Sequence, residues 1–155
     1  MIAVGDKIPE SLGLDQDGKE IKAADLLGQP SLLYFYPKDN TSGCTAQACS
    51  LRDGIEELKR VGIRVIGISK DSAKSHKSFI EKYDLPFTLI ADTEHVLQET
   101  FGVWVEKSMY GRKYMGTQRT SFIIDAEGRV THIISGKEVR TKDHADQILE
   151  ILKNN

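Results

Sequence analysis

Two cysteines, Cys44 and Cys49, are the residues of this chain best suited to covalent chemistry, and the setting of the first decides what chemistry that is. Cys44 follows a continuous apolar run, Ser31-Leu32-Leu33-Tyr34-Phe35-Tyr36, which reads as a strand buried on both faces. Pro37 closes that run, because proline cannot donate to a sheet ladder. From Cys44 onward, Ala48, Leu51, Ile55 and Leu58 recur at three- and four-residue steps, which predicts a helix to about Arg60. Cys44 therefore stands at a helix N-terminus just beyond a strand, where unpaired N–H groups and the helix dipole favour an anion. A thiolate is the nucleophilic form of cysteine, so this placement points to a reactive thiol. Thr41 supplies a hydroxyl one turn earlier, and Thr41 or Ser42 is expected to cap the helix.

Cys49 lies five residues on, a step that turns its side chain about 140° from Cys44 in a regular helix. The spacing differs from the Cys-x-x-Cys of thioredoxins and zinc knuckles. Counting alone leaves three readings open: redox-active, metal-binding, or buried and inert thiols. His76, His95, His132 and His144 are scattered without metal-ligand spacing, so a metal site is not expected. No phosphate-binding glycine loop appears, and nothing indicates haem, flavin or another cofactor.

The elements that must position these residues follow from the pattern. Ser11 to Leu14 and Lys19 to Lys22 flank Asp17-Gly18, a hairpin signal. Arg64 to Ser69 and Thr88 to Ala91 read as strands, separated by a helix from about Ala73 to Tyr83. Asp92 is a candidate N-cap for a helix to about Phe101. Thr120 to Ile124 and Val130 to Ser135 bracket the turn Asp125-Ala126-Glu127-Gly128, and a last helix spans about Thr141 to Leu152. Alternation at the start demands parallel strands with crossovers, and the closing hairpin adds antiparallel ones. The expected fold is α/β and thioredoxin-like: a mixed central sheet flanked by helices, with an N-terminal β-hairpin extension, in one domain over residues 1–155.

Composition narrows the function. The chain of 155 residues is 39% hydrophobic and 28% charged with a formal net charge of −2, which offers no basic field for nucleic acid. No segment approaches the run of about 20 apolar residues that a membrane helix needs, and the N-terminus lacks a signal-peptide pattern. The expectation is a cytoplasmic protein in a reducing compartment, where paired cysteines are more often redox-active or metal-binding than structural.

The segment Tyr34-Phe35-Tyr36-Pro37-Lys38-Asp39-Asn40-Thr41-Ser42-Gly43-Cys44-Thr45-Ala46-Gln47-Ala48-Cys49 contains Pro-x-x-x-Thr-x-x-Cys. It resembles the active-site signature of the peroxiredoxins, in their peroxiredoxin Q or bacterioferritin comigratory protein branch. The resemblance continues through Phe101-Gly102-Val103-Trp104, Tyr114-Met115-Gly116 and Gln118-Arg119-Thr120-Ser121-Phe122-Ile123-Ile124-Asp125, and so covers nearly the whole chain. Ser42 departs from it, standing where proline is common, which bears on loop rigidity. The resemblance implies a thiol peroxidase in which Cys44 is the peroxidatic cysteine and Cys49 resolves its sulfenic acid as an intrachain disulfide. It implies that Thr41 and Arg119 complete the catalytic set, that Pro37 and Gly43 shape the pocket, and that a thioredoxin-like dithiol is the reductant. Intrachain resolution needs no partner subunit, so a monomer is expected. Lys38 and Asp39 are read as loop charges, and Trp104 as a packing residue.

A disulfide oxidoreductase of thioredoxin type is the competing reading. None of Pro9, Pro30, Pro37 and Pro86 immediately precedes the strand at Thr120, where that family carries a cis-proline, so the residues speak against it. A redox sensor using the same thiol shares the oxidation step and stays open from sequence.

Overall fold

The structure, a computed structural model, describes residues 1–154. Its centre is a five-stranded sheet in the order β5-β4-β3-β8-β9. The apolar run becomes the middle strand β3 (Ser31–Phe35), every residue of which is buried. It pairs in parallel with β4 (Arg64–Ser69), which pairs in parallel with β5 (Thr88–Ala91). On its other side β3 runs antiparallel to β8 (Thr120–Ile124), which pairs with β9 (Val130–Ser135). The first two strands, β1 (Ser11–Leu14) and β2 (Glu20–Lys22), form the N-terminal hairpin.

Side-chain alternation along β3 divides the core in two. Leu32, Tyr34 and Tyr36 enter one cluster with Cys44, Ala48, Leu51, Phe79 and Ile148, from α2 (Ser42–Asp53), α4 (Ala73–Tyr83) and α6 (His144–Lys153). Leu33 and Phe35 enter the other, with Leu26 of α1 (Ala23–Leu26) and Leu97 and Phe101 of α5 (Val96–Phe101). A strand covered on both faces must be apolar at every position, which is why β3 shows no alternation in sequence.

Three expectations shift. The helix expected from Cys44 to Arg60 starts at Ser42 and breaks at Gly54 into α2 and α3 (Ile55–Arg60). At the break α6 crosses so closely that a Cβ on Gly54 would stand 2.5 Å from that of Ala145. Asp92 caps α5 from a distance: its carboxylate accepts from the N–H groups of Leu97 and Gln98 at 3.1 and 2.9 Å, while His95 holds the N-cap position. A hairpin not expected at all, β6 (Trp104–Met109) and β7 (Arg112–Thr117), turns through Tyr110 and Gly111 at φ of 52° and 79°. Its outer half is exposed and holds little apolar alternation, so it leaves no strong period in sequence. Trp104, at its base, stacks on His95 with ring centroids 3.8 Å apart.

His144, the first residue of α6, is fully buried. Gln147 Oε1 lies 2.9 Å from its Nδ1, and an amide oxygen only accepts, so Nδ1 carries the proton and Nε2 accepts from Ser121 Oγ at 2.8 Å. Burial, the main cause, pushes its pKa from 6.5 down to about 4. A folded-state value below the unfolded one means that the unfolded chain takes up the proton first on acidification. Stability is therefore intact above about pH 6.5 and falls as pH drops toward 4, by about 3 kcal/mol in all. Urea unfolding midpoints measured across this interval should fall in the native chain and fall distinctly less in His144→Gln; parallel profiles would remove His144 as the cause.

Candidate active site

The site begins where β3 ends. Pro37 is half-buried, and the loop 37–41 that follows is pinned from beneath by Asp39. Asp39 is buried, which overturns its reading as a loop charge. Its carboxylate accepts from Tyr36 Oη at 2.6 Å and Ser75 Oγ at 2.8 Å and faces His76 Nδ1 at 2.8 Å. Its N–H donates to Asp71 at 2.8 Å, and His76 Nε2 reaches the carbonyl of Ile90 at 3.0 Å. A solvated loop residue would make none of these bonds, and the sequence gives no sign of them because His76 lies 37 positions away. Among the described residues, Asp39, Asp71 and His76 are also a group with ligand-type atoms close enough for a metal, all within 4.8 Å. Protons from Ser75, Ser69 and the Asp39 backbone already occupy their oxygens, so the cluster reads as a latch between the loop and α4.

Thr41 takes the N-cap position of α2 in extended backbone, but its hydroxyl caps nothing. It donates instead to the carbonyl of Lys38 at 2.8 Å, so its lone pairs remain able to accept from another donor. Cys44 follows in the first turn and is buried. Arg119, immediately before β8, is held by its backbone, since Gly136 N–H donates to its carbonyl at 2.8 Å. From there its guanidinium forks. Nη2 donates to Cys44 Sγ at 3.3 Å and Nη1 to Gln47 Oε1 at 2.6 Å. The approach passes over Gly43, where an added Cβ would sit 3.2 Å from Nη2.

The structure thus gathers Gly43, Cys44 and Arg119 in one place, with Thr41 at the N-cap of the same helix and Pro37 two residues beyond the end of β3. Cys49 is half-buried on the same helix and free, as is Cys44. α2 holds the two cysteines apart. Sequence reasoning missed Gln47, fully buried one turn beyond Cys44. The signal was its i, i+3 relation to Cys44, which sets both side chains on one face of α2 where a single guanidinium can span them. Positive charge extends beyond Arg119: Lys107, on β6, has its pKa lowered first by burial and then by Arg119 and Lys70.

A strand end, a helix N-terminus and a guanidinium converge on one buried thiol, an arrangement whose positive partial charges suit an anion. Residues 4–133 match the model of the AhpC/TSA family. The chain belongs to that family. It is 45% identical to Peroxiredoxin Bcp of Escherichia coli strain K12 over 152 residues, covering 98% of this chain and 96% of the relative. It is 42% identical to Peroxiredoxin Bcp of Bacillus subtilis over 153 residues, covering 99% and 96%. Among solved structures, peroxidoxin BcpB of Mycobacterium tuberculosis superposes with a TM-score of 0.84 at 32% identity, over 99% of this chain and 98% of the other. The Xanthomonas campestris bacterioferritin comigratory protein, studied for alkyl peroxide reduction, gives 0.84 at 33% identity over 91% and 88%. The fold is that of a thioredoxin-like peroxiredoxin, and the chain is a thiol-dependent peroxidase. No helix among the described residues is long and apolar enough to cross a membrane.

Proposed function

We propose that Cys44 is the peroxidatic cysteine, that it reduces hydrogen peroxide and organic hydroperoxides, and that Cys49 resolves it within the same chain. The observation that carries this reading is the Arg119 fork at 3.3 Å from Cys44 Sγ. A guanidinium is always charged and donates in a fixed plane, so it holds the sulfur as a thiolate and can donate to the peroxide bound beside it. Thr41 accepts from the peroxide O–H, and Pro37 shields the pocket from water.

The thiolate attacks the distal peroxide oxygen. An S–O bond forms as the O–O bond breaks, sulfur loses two electrons, and the leaving alkoxide or hydroxide takes the peroxide proton to leave as alcohol or water. Charge grows on that leaving oxygen, and Arg119 is placed to stabilise it. Cys49 then attacks the sulfenate sulfur, and as the S–S bond forms the S–O bond breaks, the oxygen leaving as water with the Cys49 thiol proton and one proton from solvent. A thioredoxin-like dithiol, itself oxidised to a disulfide, returns both thiols. The chain acts in the cytoplasm as a single-domain monomer, since resolution needs no second subunit.

Resolution requires motion. Residues five apart in a regular helix have Cα atoms about 8.7 Å apart. A disulfide accepts at most about 7 Å, so the first turns of α2 open in each cycle. The division of labour is tested with Cys49→Ser. That variant should consume roughly one peroxide per chain and stop at the sulfenic acid, which a dimedone adduct on Cys44 reports by mass spectrometry. Continued turnover with thioredoxin at the native rate would show that Cys49 is not the resolving residue.

A further inference from the structure

Tyr34 Oη is buried and has no hydrogen-bond partner among the described residues. It belongs to the same buried cluster as Cys44, Ala48 and Leu51, on the face of β3 that α2 covers. Buried hydroxyls are nearly always paired, because leaving one dry forfeits its water bonds for nothing. The ring cannot swing to find a partner. It lies over Gly67, where a Cβ would stand 2.9 Å from its carbons, stacks on Tyr36 at 5.4 Å between centroids, and meets Phe87 edge-on at 6.0 Å. Burial and then the charge of Cys44 raise its pKa well above 10, so the phenol keeps its proton and can only serve as a neutral donor or weak acceptor. Gln47 Nε2 is also buried and unpartnered, but its amide is committed to Arg119, and changing it would disturb the guanidinium as well.

We propose that Tyr34 Oη is the hydrogen-bond donor for the oxygen that Cys44 carries once oxidised to the sulfenate. The inference rests on Cys44 being the residue that reacts with peroxide. In the reduced chain no bond joins Tyr34 to the sulfur, and an oxygen added to that sulfur reaches one bond further. No new oxidant is involved: the peroxide supplies the oxygen, and Tyr34 keeps its proton while sharing it. The bond holds the oxidised cysteine in its folded pocket, and so opposes the opening of α2 that brings Cys49 to it. Tyr34 acts as a brake on resolution.

The test is Tyr34→Phe, which removes the hydroxyl and nothing else. The reduced variant should melt no lower than the native chain and react with the first peroxide within about twofold of it, since the hydroxyl touches no reacting atom at that stage. Quenched-flow mass spectrometry should show the Cys44–Cys49 disulfide forming about fivefold faster, the rate equivalent of one net hydrogen bond lost from the sulfenate. A second readout needs no comparison of rates. In a Cys49→Ser chain labelled at tyrosine Cζ, the 13C resonance that Tyr34→Phe deletes should move when peroxide is added and the sulfenate forms. Unchanged or slower disulfide formation, or a Tyr34 resonance that stays still on sulfenate formation, overturns the proposal. If Cys49→Ser forms no sulfenate at Cys44 at all, the assignment of Cys44 itself fails instead.

Discussion

Replacing Cys44 by serine should reduce peroxide consumption to background, by at least about a thousandfold, as befits loss of a covalent nucleophile. Serine fits the space, and its hydroxyl can still accept from Arg119, so the fold around α2 should persist. What is lost is charge. A hydroxyl is not ionised near neutral pH, and the proposed reaction needs a thiolate as the nucleophile. The measurement is peroxide decay with thioredoxin and its reductase present, alongside a thermal melt to establish folding. Sustained turnover by a folded Cys44→Ser chain would require a different nucleophile, and Cys49, out on the middle of α2, would be the one to examine.

Arg119→Lys should lower kcat/KM by about a hundredfold, the size of effect seen when one preorganised donor leaves an oxyanion site. The geometry is the reason that keeping the charge is not expected to keep the rate. The fork spans Cys44 at 3.3 Å and Gln47 at 2.6 Å at once, and an ammonium on a flexible stem cannot satisfy both in one plane. Lysine also carries a larger entropy of immobilisation per bond formed, so the sulfur would be held less often. The loss should appear in the peroxide step, read by stopped-flow with excess peroxide, and leave the reduction of a preformed disulfide unchanged. An Arg119→Lys chain with native peroxide reactivity would place this residue outside the reaction.

Much of this arrangement was legible in the residues. The unbroken apolar run of β3, the proline that ends it and the helical spacing after Cys44 place the thiol at a strand–helix junction without further knowledge. Arg119 could not be found that way: it lies 75 positions from Cys44, and only the motif around it marks it out. Asp39 shows the opposite failure. Charge and a loop position argue for solvent, yet tertiary packing buries it and surrounds it with partners from Tyr36, just past β3, and from α4. The β6–β7 ribbon was invisible because it leaves the core early. A strand that buries only its base carries no period for the eye to follow. The break in α2–α3 was missed for a related reason, since Gly54 is glycine for the sake of α6, which local sequence does not contain.

That break confines the damage when α2 lets go. Gly54 ends one hydrogen-bonded ladder and begins another, so disorder entering at Ser42 cannot travel along a continuous rod into α3. At the far end of α2, Arg52 Nη1 donates to the carbonyl of Tyr83 at 2.7 Å, stapling the last turn to the end of α4. Between Thr41 and that staple lie about three turns, held at the far end by Arg52 and at the near end by the Arg119 fork to Cys44 and Gln47. Opening of those turns would loosen only the half of the core that Cys44, Ala48 and Leu51 enter, because the cluster on the other face of the sheet takes no residue from α2.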